Sequence, residues 1–197
     1  MKGNPWDDHY ARKARQEEWL ARSVYKLEEI DKRFQLIQKG NRILDLGCHP
    51  GSWSQYASLK TGAKGEVVGV DLTPLEGFSA ANFRFIQADV FTLDHAWLVA
   101  EIGPRDVVMS DLAPKTTGSA PTDVSRSIGL ARKALELATG LLKTGGHFVC
   151  KVFEGEDFGL FRKEVASRFE RTKPFRPPAV RKRSREVYIV GKGFSGP

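Results

Sequence analysis

Cysteine is scarce in this chain of 197 residues: Cys48 and Cys150 are the only two. That excludes a disulfide framework and agrees with a reducing compartment. A zinc site is not expected either, because His147 and Cys150 stand three apart on a strand-like run and face opposite sides. No apolar run approaches the roughly 18 residues of a membrane span, and the polar start Met1-Lys2-Gly3-Asn4-Pro5 does not read as a signal peptide. The expectation is a cytoplasmic protein with no membrane contact. Two nucleotide signatures are missing from the turn at residues 45–54: Pro50 and Trp53 stand where a dinucleotide's G-x-G-x-x-G would need its spacing, and no Gly-Lys-Ser/Thr closes it as in a phosphate loop. Acids are the minority charge, with 24 Asp and Glu against 31 Lys and Arg for a net charge of +7, so a polyanion is the expected partner. The length and a 41% hydrophobic content fit one globular domain over residues 1–197.

What the chain does have is a turn. Asp45-Leu46-Gly47-Cys48-His49-Pro50-Gly51-Ser52-Trp53-Ser54 follows the apolar Ile43-Leu44 and precedes residues that can open a helix. A strand entering a Gly-containing turn and then a helix N-terminus is where an α/β protein holds a nucleotide-like cofactor. Asp71, twenty residues beyond Gly51, ends the strand-like Val67-Val68-Gly69-Val70, where a carboxylate can accept hydrogen bonds from both ribose hydroxyls. Asp89 ends the next apolar run, so three successive strands finish in an acid. A ligand with ribose and adenine but no phosphates fits this pattern, and S-adenosylmethionine is the common one. Its ribose is assigned to Asp71 and its adenine amine to Asp89. The alternative is that both aspartates merely start loops.

Strand-like and helix-like segments alternate without a linker or repeat. Strand candidates lie at 42–46, 66–72, 83–88, 106–112, 146–153 and 186–190, with a short one at 173–176. Helical stretches intervene at 52–60, 92–102, 124–142 and 158–169. Alternation of this kind implies an α/β fold with a mostly parallel sheet, helices on both faces, and ligands at the carboxyl ends of the strands. The last strand follows the short one without a helix, which suggests an antiparallel strand at or near an edge.

Basic residues concentrate at the two ends. Residues 10–34 read as one amphipathic helix within a basic N-terminal segment, 1–36, ahead of a core at 41–193. Leu20, Val24, Leu27, Ile30 and Phe34 form its apolar stripe, and Arg15, Arg22, Lys26 and Arg33 line a neighbouring face. From Arg171 to Arg185 the chain carries seven cations, Arg181, Lys182, Arg183 and Arg185 among them, and no acid. Both elements are either solvated surface or a nucleic-acid contact; occurring together, they favour nucleic acid. Two further polar residues sit where a core would not want them. Asp111 ends Val107-Val108-Met109-Ser110, and Lys151 interrupts Phe148-Val149-Cys150 and Val152-Phe153. Lys151 either snorkels from an edge or is held in the cleft by a carboxylate, and Asp111 on a neighbouring strand favours the second. Glu186 opens the final apolar strand, where pattern alone equally allows an exposed edge residue.

These segments resemble the FtsJ family of ribosomal RNA ribose methyltransferases. The likeness rests on Asp45-Leu46-Gly47 with Pro50-Gly51 and Trp53-Ser54-Gln55, on Met109-Ser110-Asp111-Leu112-Ala113-Pro114, and on Val149-Cys150-Lys151-Val152-Phe153. Ser184-Arg185-Glu186-Val187-Tyr188 and the run from Arg22 to Ile30 complete it. The resemblance spans about Tyr10 to Val190. It implies a Rossmann-like methyltransferase fold with a seven-stranded sheet and S-adenosylmethionine-dependent transfer of methyl to a ribose 2′-hydroxyl, a uridine of 23S ribosomal RNA, in a monomer that meets ribosomal RNA or a large-subunit particle. By that likeness Lys26, Asp111, Lys151 and Glu186 are the catalytic set, and Gly47, Pro50, Gly51, Ser52, Trp53, Asp71, Leu72, Asp89, Val90 and Asp111 surround the cofactor. The turn departs from the family in Cys48, His49 and Ser52, where alanines and a second glycine are usual; altered cofactor affinity is expected, with His49 facing solvent.

A ribose hydroxyl is a poor nucleophile, so such a site must help remove its proton, align its oxygen and exclude water. Lys151 is the candidate general base, provided it is neutral at the moment of attack, and Lys26 alternatively holds the developing alkoxide. No metal is needed. A ribose methyltransferase of transfer RNA or of messenger RNA caps, and a non-catalytic RNA-binding assembly protein on the same fold, remain as alternatives.

Overall fold

The computed structural model describes residues 5–196, so the polar start at residues 1–4 lies outside the described residues. Seven strands form one sheet in the order β3-β2-β1-β4-β5-β7-β6. They are β1 Arg42–Leu46, β2 Glu66–Asp71, β3 Phe83–Gln87, β4 Arg105–Ser110, β5 Leu142–Phe153, β6 Phe169–Phe175 and β7 Glu186–Phe194. The first five run parallel, while β7 pairs antiparallel with both β5 and β6. The helices are α1 Pro5–Gln16, α2 Val24–Phe34, α3 Ser52–Thr61, α4 His95–Ile102, α5 Ala120–Leu141 and α6 Phe158–Ala166.

Central strands such as Ile43-Leu44 and Val107-Val108-Met109 are apolar on both sides because both faces of the sheet are covered. On one face α4, α5 and α6 pack through Leu98, Ile128, Ala131, Leu135, Ala138 and Phe161. The α5 residues in that set recur at three and four, the period of one helix face. On the other face α2 and α3 bring Val24, Leu27, Ile30, Tyr56 and Ala57 against Val67, Met109, Val149 and Val190. Asp31, buried at the end of α2, accepts hydrogen bonds from the amides of Leu36 and Ile37 at 3.0 and 2.9 Å and from the Tyr56 hydroxyl at 3.0 Å. These bonds satisfy its carboxylate and turn the chain into β1.

The expected single helix over 10–34 is two. Glu18 adopts a left-handed backbone with φ 59°, Trp19 N–H closes α1 onto Ala14 O at 2.8 Å, and α2 begins only at Val24. The Gln55 side chain holds the intervening segment by donating to Glu18 O at 3.0 Å and accepting from Leu20 N–H at 3.1 Å. Leu20, placed in the apolar stripe by its spacing, is exposed instead. At the other end, the short strand expected over 173–176 is the seven-residue β6. It takes the sheet edge, so the antiparallel β7 lies one strand inside it.

Candidate active site

Four charged side chains and a phenol meet at the carboxyl edge of β4 and β5. Asp111 leaves β4 immediately after Ser110, and its N–H bonds Leu46 O at 3.1 Å. Lys151, near the end of β5, places Nζ 3.1 Å from Asp111 Oδ1 and donates to Asp111 O at 2.5 Å. Because β7 is antiparallel to β5, its first residue pairs with the last of β5, Glu186 with Phe153, and Tyr188 pairs with Lys151. α2 supplies Lys26, whose Nζ is 2.6 Å from Glu186 Oε1. Tyr188 Oη lies 2.8 Å from Asp111 Oδ1 and 2.6 Å from Glu186 Oε1. A phenol carries one proton for two carboxylates, so Tyr188 joins the pairs Lys151–Asp111 and Lys26–Glu186 into one network of two positive and two negative groups.

Burial pushes the Tyr188 hydroxyl well above its ordinary pKa, and the negative charges of Asp111 and Glu186 push it further. It therefore stays a donor at neutral pH. Burial also pushes Asp111 up, but the Lys151 and Lys26 charges and the hydrogen bonds from Tyr188 and Lys151 outweigh it and hold the carboxyl below its usual range. Asp111 is thus an anion at neutral pH, anchoring the ammonium of Lys151 beside the cleft.

Next to this network opens a cavity of about 640 Å³, a volume suited to a small-molecule cofactor. Asp71, Asp89 and Asp111 line it together with Gly47, Leu72 and Val90. Asp71 accepts from the amides of His49 at 2.9 Å and Thr73 at 2.8 Å, and Asp89 accepts from Phe91 N–H at 2.9 Å. Each carboxylate is oriented by backbone yet keeps acceptor capacity for hydroxyl or amine donors. Leu72 and Phe91, 62% and 58% exposed, give the wall apolar surface for a ring. Gly47, at φ +77°, allows the turn to approach the segment after β4: a Cβ there would stand 2.9 Å from the Leu112 side chain. Lys115 and Arg126 also line the cavity, but its three carboxylates and apolar wall fit S-adenosylmethionine, a cation bearing ribose and adenine. His49 is exposed at its wall.

Pro50, Gly51, Ser52 and Trp53 are not among the cavity's lining residues. Gly51, at φ +108°, is overlaid by Leu20, Leu75 and Phe78, which a Cβ would meet at 3.0–3.3 Å. Ser52 Oγ hydrogen-bonds Ser23 Oγ at 2.8 Å, and Trp53, 2% exposed, donates Nε1–H to Ser23 O at 2.9 Å. The Trp53 ring also packs on Tyr188 with centroids 5.7 Å apart. The first turn of α3 therefore grips the segment that leads into α2 and so positions Lys26. Asp45, one of the three strand-end acids, is fully buried with Ser54 Oγ at 2.7 Å; burial lifts its pKa to about 7, against the pull of that hydrogen bond.

Tyr188 closes the Ser184–Tyr188 run, but the sequence alone assigns it no role. Its signal was the two-residue spacing from Glu186, which puts both side chains on one face of a strand. The two basic ends of the chain do meet: Arg22 donates to Ala179 O at 2.9 Å, and Glu29 accepts from Ala179 N–H at 3.0 Å. Arg181, Lys182, Arg183 and Arg185 are exposed on the connection between β6 and β7, Arg15 is exposed in the last turn of α1, and Arg33 is exposed near the end of α2. Lys26 belongs to the charged network rather than to an open basic face.

A sheet of this order, with an acid-lined cavity at the carboxyl ends of its parallel strands, defines a Rossmann-like S-adenosylmethionine-dependent methyltransferase. The chain belongs to the FtsJ-like methyltransferase family, whose pattern matches residues 19–194, and that family uses S-adenosylmethionine. It is 50% identical over 190 residues to the ribosomal RNA large subunit methyltransferase E of Desulfosudis oleivorans, covering 96% of this chain and 92% of that protein. To the protein of the same name from Bdellovibrio bacteriovorus it is 50% identical over 187 residues, covering 93% and 95%. Among solved structures, a ribosomal RNA methyltransferase from Plasmodium falciparum shares the fold with a TM-score of 0.79 at 24% identity, over 91% of this chain and 100% of that one.

Proposed function

We propose that the protein methylates the 2′-hydroxyl of a ribose in the 23S RNA of the large ribosomal subunit, at a uridine, working in the cytoplasm as a monomeric single domain. The observation that carries this reading is the network of Lys151, Asp111, Tyr188, Glu186 and Lys26 beside an acid-lined cavity. When bound, S-adenosylmethionine supplies a methyl group made electrophilic by its sulfonium. Asp71 would hold its ribose and Asp89 its adenine amine, with Leu72, Val90 and Phe91 supplying the apolar wall beside them. Lys151, in its neutral form, takes the proton from the ribose hydroxyl, and Lys26 stabilises the negative charge growing on that oxygen. Asp111 holds the Lys151 amine and Glu186 the Lys26 ammonium, and the Tyr188 hydroxyl, bonded to both carboxylates, ties the two pairs together. Fixing these groups beforehand is what accelerates the transfer. The basic surfaces of α2 and of residues 181–185, joined through Ala179, receive the RNA backbone.

Incubation with methyl-labelled cofactor and large ribosomal subunits from cells lacking the activity tests this. The expected label is a single 2′-O-methyl nucleotide in the large-subunit RNA. Label on a base, or on transfer RNA only, would overturn the substrate assignment.

A further inference from the structure

A second cationic site lies away from the catalytic network. It is a cleft of about 510 Å³ built by Arg33 and Phe34 at the end of α2, Arg171 and Lys173 on β6, and Lys192 on β7. The sheet register decides which way these side chains face. Arg171 pairs with Lys192 and Lys173 with Val190, and directly paired residues share a sheet face. Val190 is buried in the core under α2, so Arg171, Lys173 and Lys192 project on the α2 side. Lys192 donates to Phe34 O at 2.6 Å. The Arg33 guanidinium lies over the Phe175 ring at 5.1 Å. Both cations are thereby set in position without their charge being neutralised. Arg33, Arg171 and Lys173 are exposed, and none forms an ion pair with a described residue. Glu170 is the one acid among the lining residues.

Charge on an edge strand commonly serves to block pairing with another chain, and Pro174 on β6 fits that purpose. Edge protection does not account for Arg33 on a helix or Lys192 on an inner strand converging on the same cleft. Arg33 is seven residues beyond Lys26 on α2, about 10 Å at 1.5 Å per residue. Lys192 is six beyond Glu186 on β7, about 20 Å at 3.3 Å per residue. The cleft thus continues away from the catalytic network along the face formed by α2 and β7. We infer that this cleft grips the phosphodiester backbone of the RNA substrate several nucleotides from the ribose that is methylated, a role that rests on the function proposed above.

The test compares the double variant Arg171→Gln/Lys173→Gln with a control of equal charge loss, Lys64→Gln/Lys163→Gln, whose lysines are exposed and lie outside both the cavity and the cleft. Binding to large-subunit RNA is measured against salt concentration with S-adenosylhomocysteine present, and calorimetric affinity for that cofactor product verifies the fold of each. Each lost phosphate contact lowers the slope of log K against log salt by about 1, so the cleft variant is expected to lose about 2 from the slope and on the order of tenfold in affinity at low salt, while the control keeps its slope. An unchanged slope in the cleft variant, or an equal fall in the control, overturns the inference. So does a thermal shift with inorganic phosphate that the cleft variant abolishes while its RNA slope stays wild-type, which would mark a site for free anions. Failure of the wild-type protein to methylate any RNA would instead strike the function on which the cleft's role rests.

Discussion

Trp53→Phe separates a positioning role from a cofactor contact. The indole is 2% exposed, donates to Ser23 O at 2.9 Å and packs on Tyr188. Phenylalanine keeps the apolar face but removes the donor, leaving Ser23 O with only its bond from Lys26 N–H at 3.1 Å, a loss of about 0.5–1.5 kcal/mol. The smaller ring leaves a void worth roughly 1–2 kcal/mol more. A loss of about 1.5–3.5 kcal/mol lowers the melting temperature of a domain this size by roughly 3–14 °C. Ser23 stands three residues before Lys26, so the released segment lets the start of α2 move, and a displacement of about 1 Å at such a site costs on the order of 10²-fold in rate. Because Trp53 is absent from the cavity wall, calorimetric affinity for S-adenosylmethionine is expected to stay within about threefold of wild type, a change of well under 1 kcal/mol. A tenfold or larger loss of cofactor affinity, with melting temperature unchanged, would refute the reasoning and return Trp53 to the cofactor.

The remaining predictions concern the charged groups. Lys151→Ala is expected to slow single-turnover methyl transfer by on the order of 10²-fold to 10⁴-fold in a protein that still binds cofactor; near-normal turnover would move the base role to Lys26 or to water. Asp71→Ala should weaken S-adenosylmethionine chiefly through the lost charged acceptor, by about 1.5–3 kcal/mol, and an unchanged calorimetric affinity would reject the ribose assignment. Asp111 has its carboxyl held down by Lys151 and Lys26 despite burial, so the stability it contributes is complete above the unfolded-state value, about pH 3.9, and is lost as pH falls through the lower folded-state value. The melting-temperature gap between wild type and Asp111→Asn should therefore narrow as pH drops below about 4; a gap constant to the lowest pH at which both remain folded would contradict the ion pairing.

Most strands were legible because their apolar runs are short, bounded by turn residues and separated by helical stretches. Asp71, Asp89 and Asp111 could be picked out because each closes such a run, and the structure brings all three to one cavity. The fate of the Gly51–Trp53 turn was not legible. A turn of this composition has the same local pattern whether its first helical residues face a ligand or another segment, and only the packing of residues 18–23 against α3 distinguishes the two. Apolar spacing runs unbroken through Leu20, so periodicity joined α1 to α2, and the left-handed Glu18 leaves no mark in composition. Lys151 and Glu186 were ambiguous for a related reason. Which end of β7 lies beside the end of β5 depends on strand direction, a property of topology rather than of either residue.

The antiparallel seating of β7 also governs which changes the enzyme tolerates. Glu186 and Tyr188 take their places from pairing with Phe153 and Lys151, so the connection before β7 can lengthen or shorten at its exposed tip without moving them. A slip of the strand by a single residue cannot be absorbed in this way. It would turn Glu186 and Tyr188 toward the face that carries α5 and α6, and would offer Val187 and Ile189 to Lys26 and Asp111. Natural variation in this enzyme should therefore collect as insertions and deletions ahead of Glu186, while the stretch from Glu186 to Val190 keeps its length.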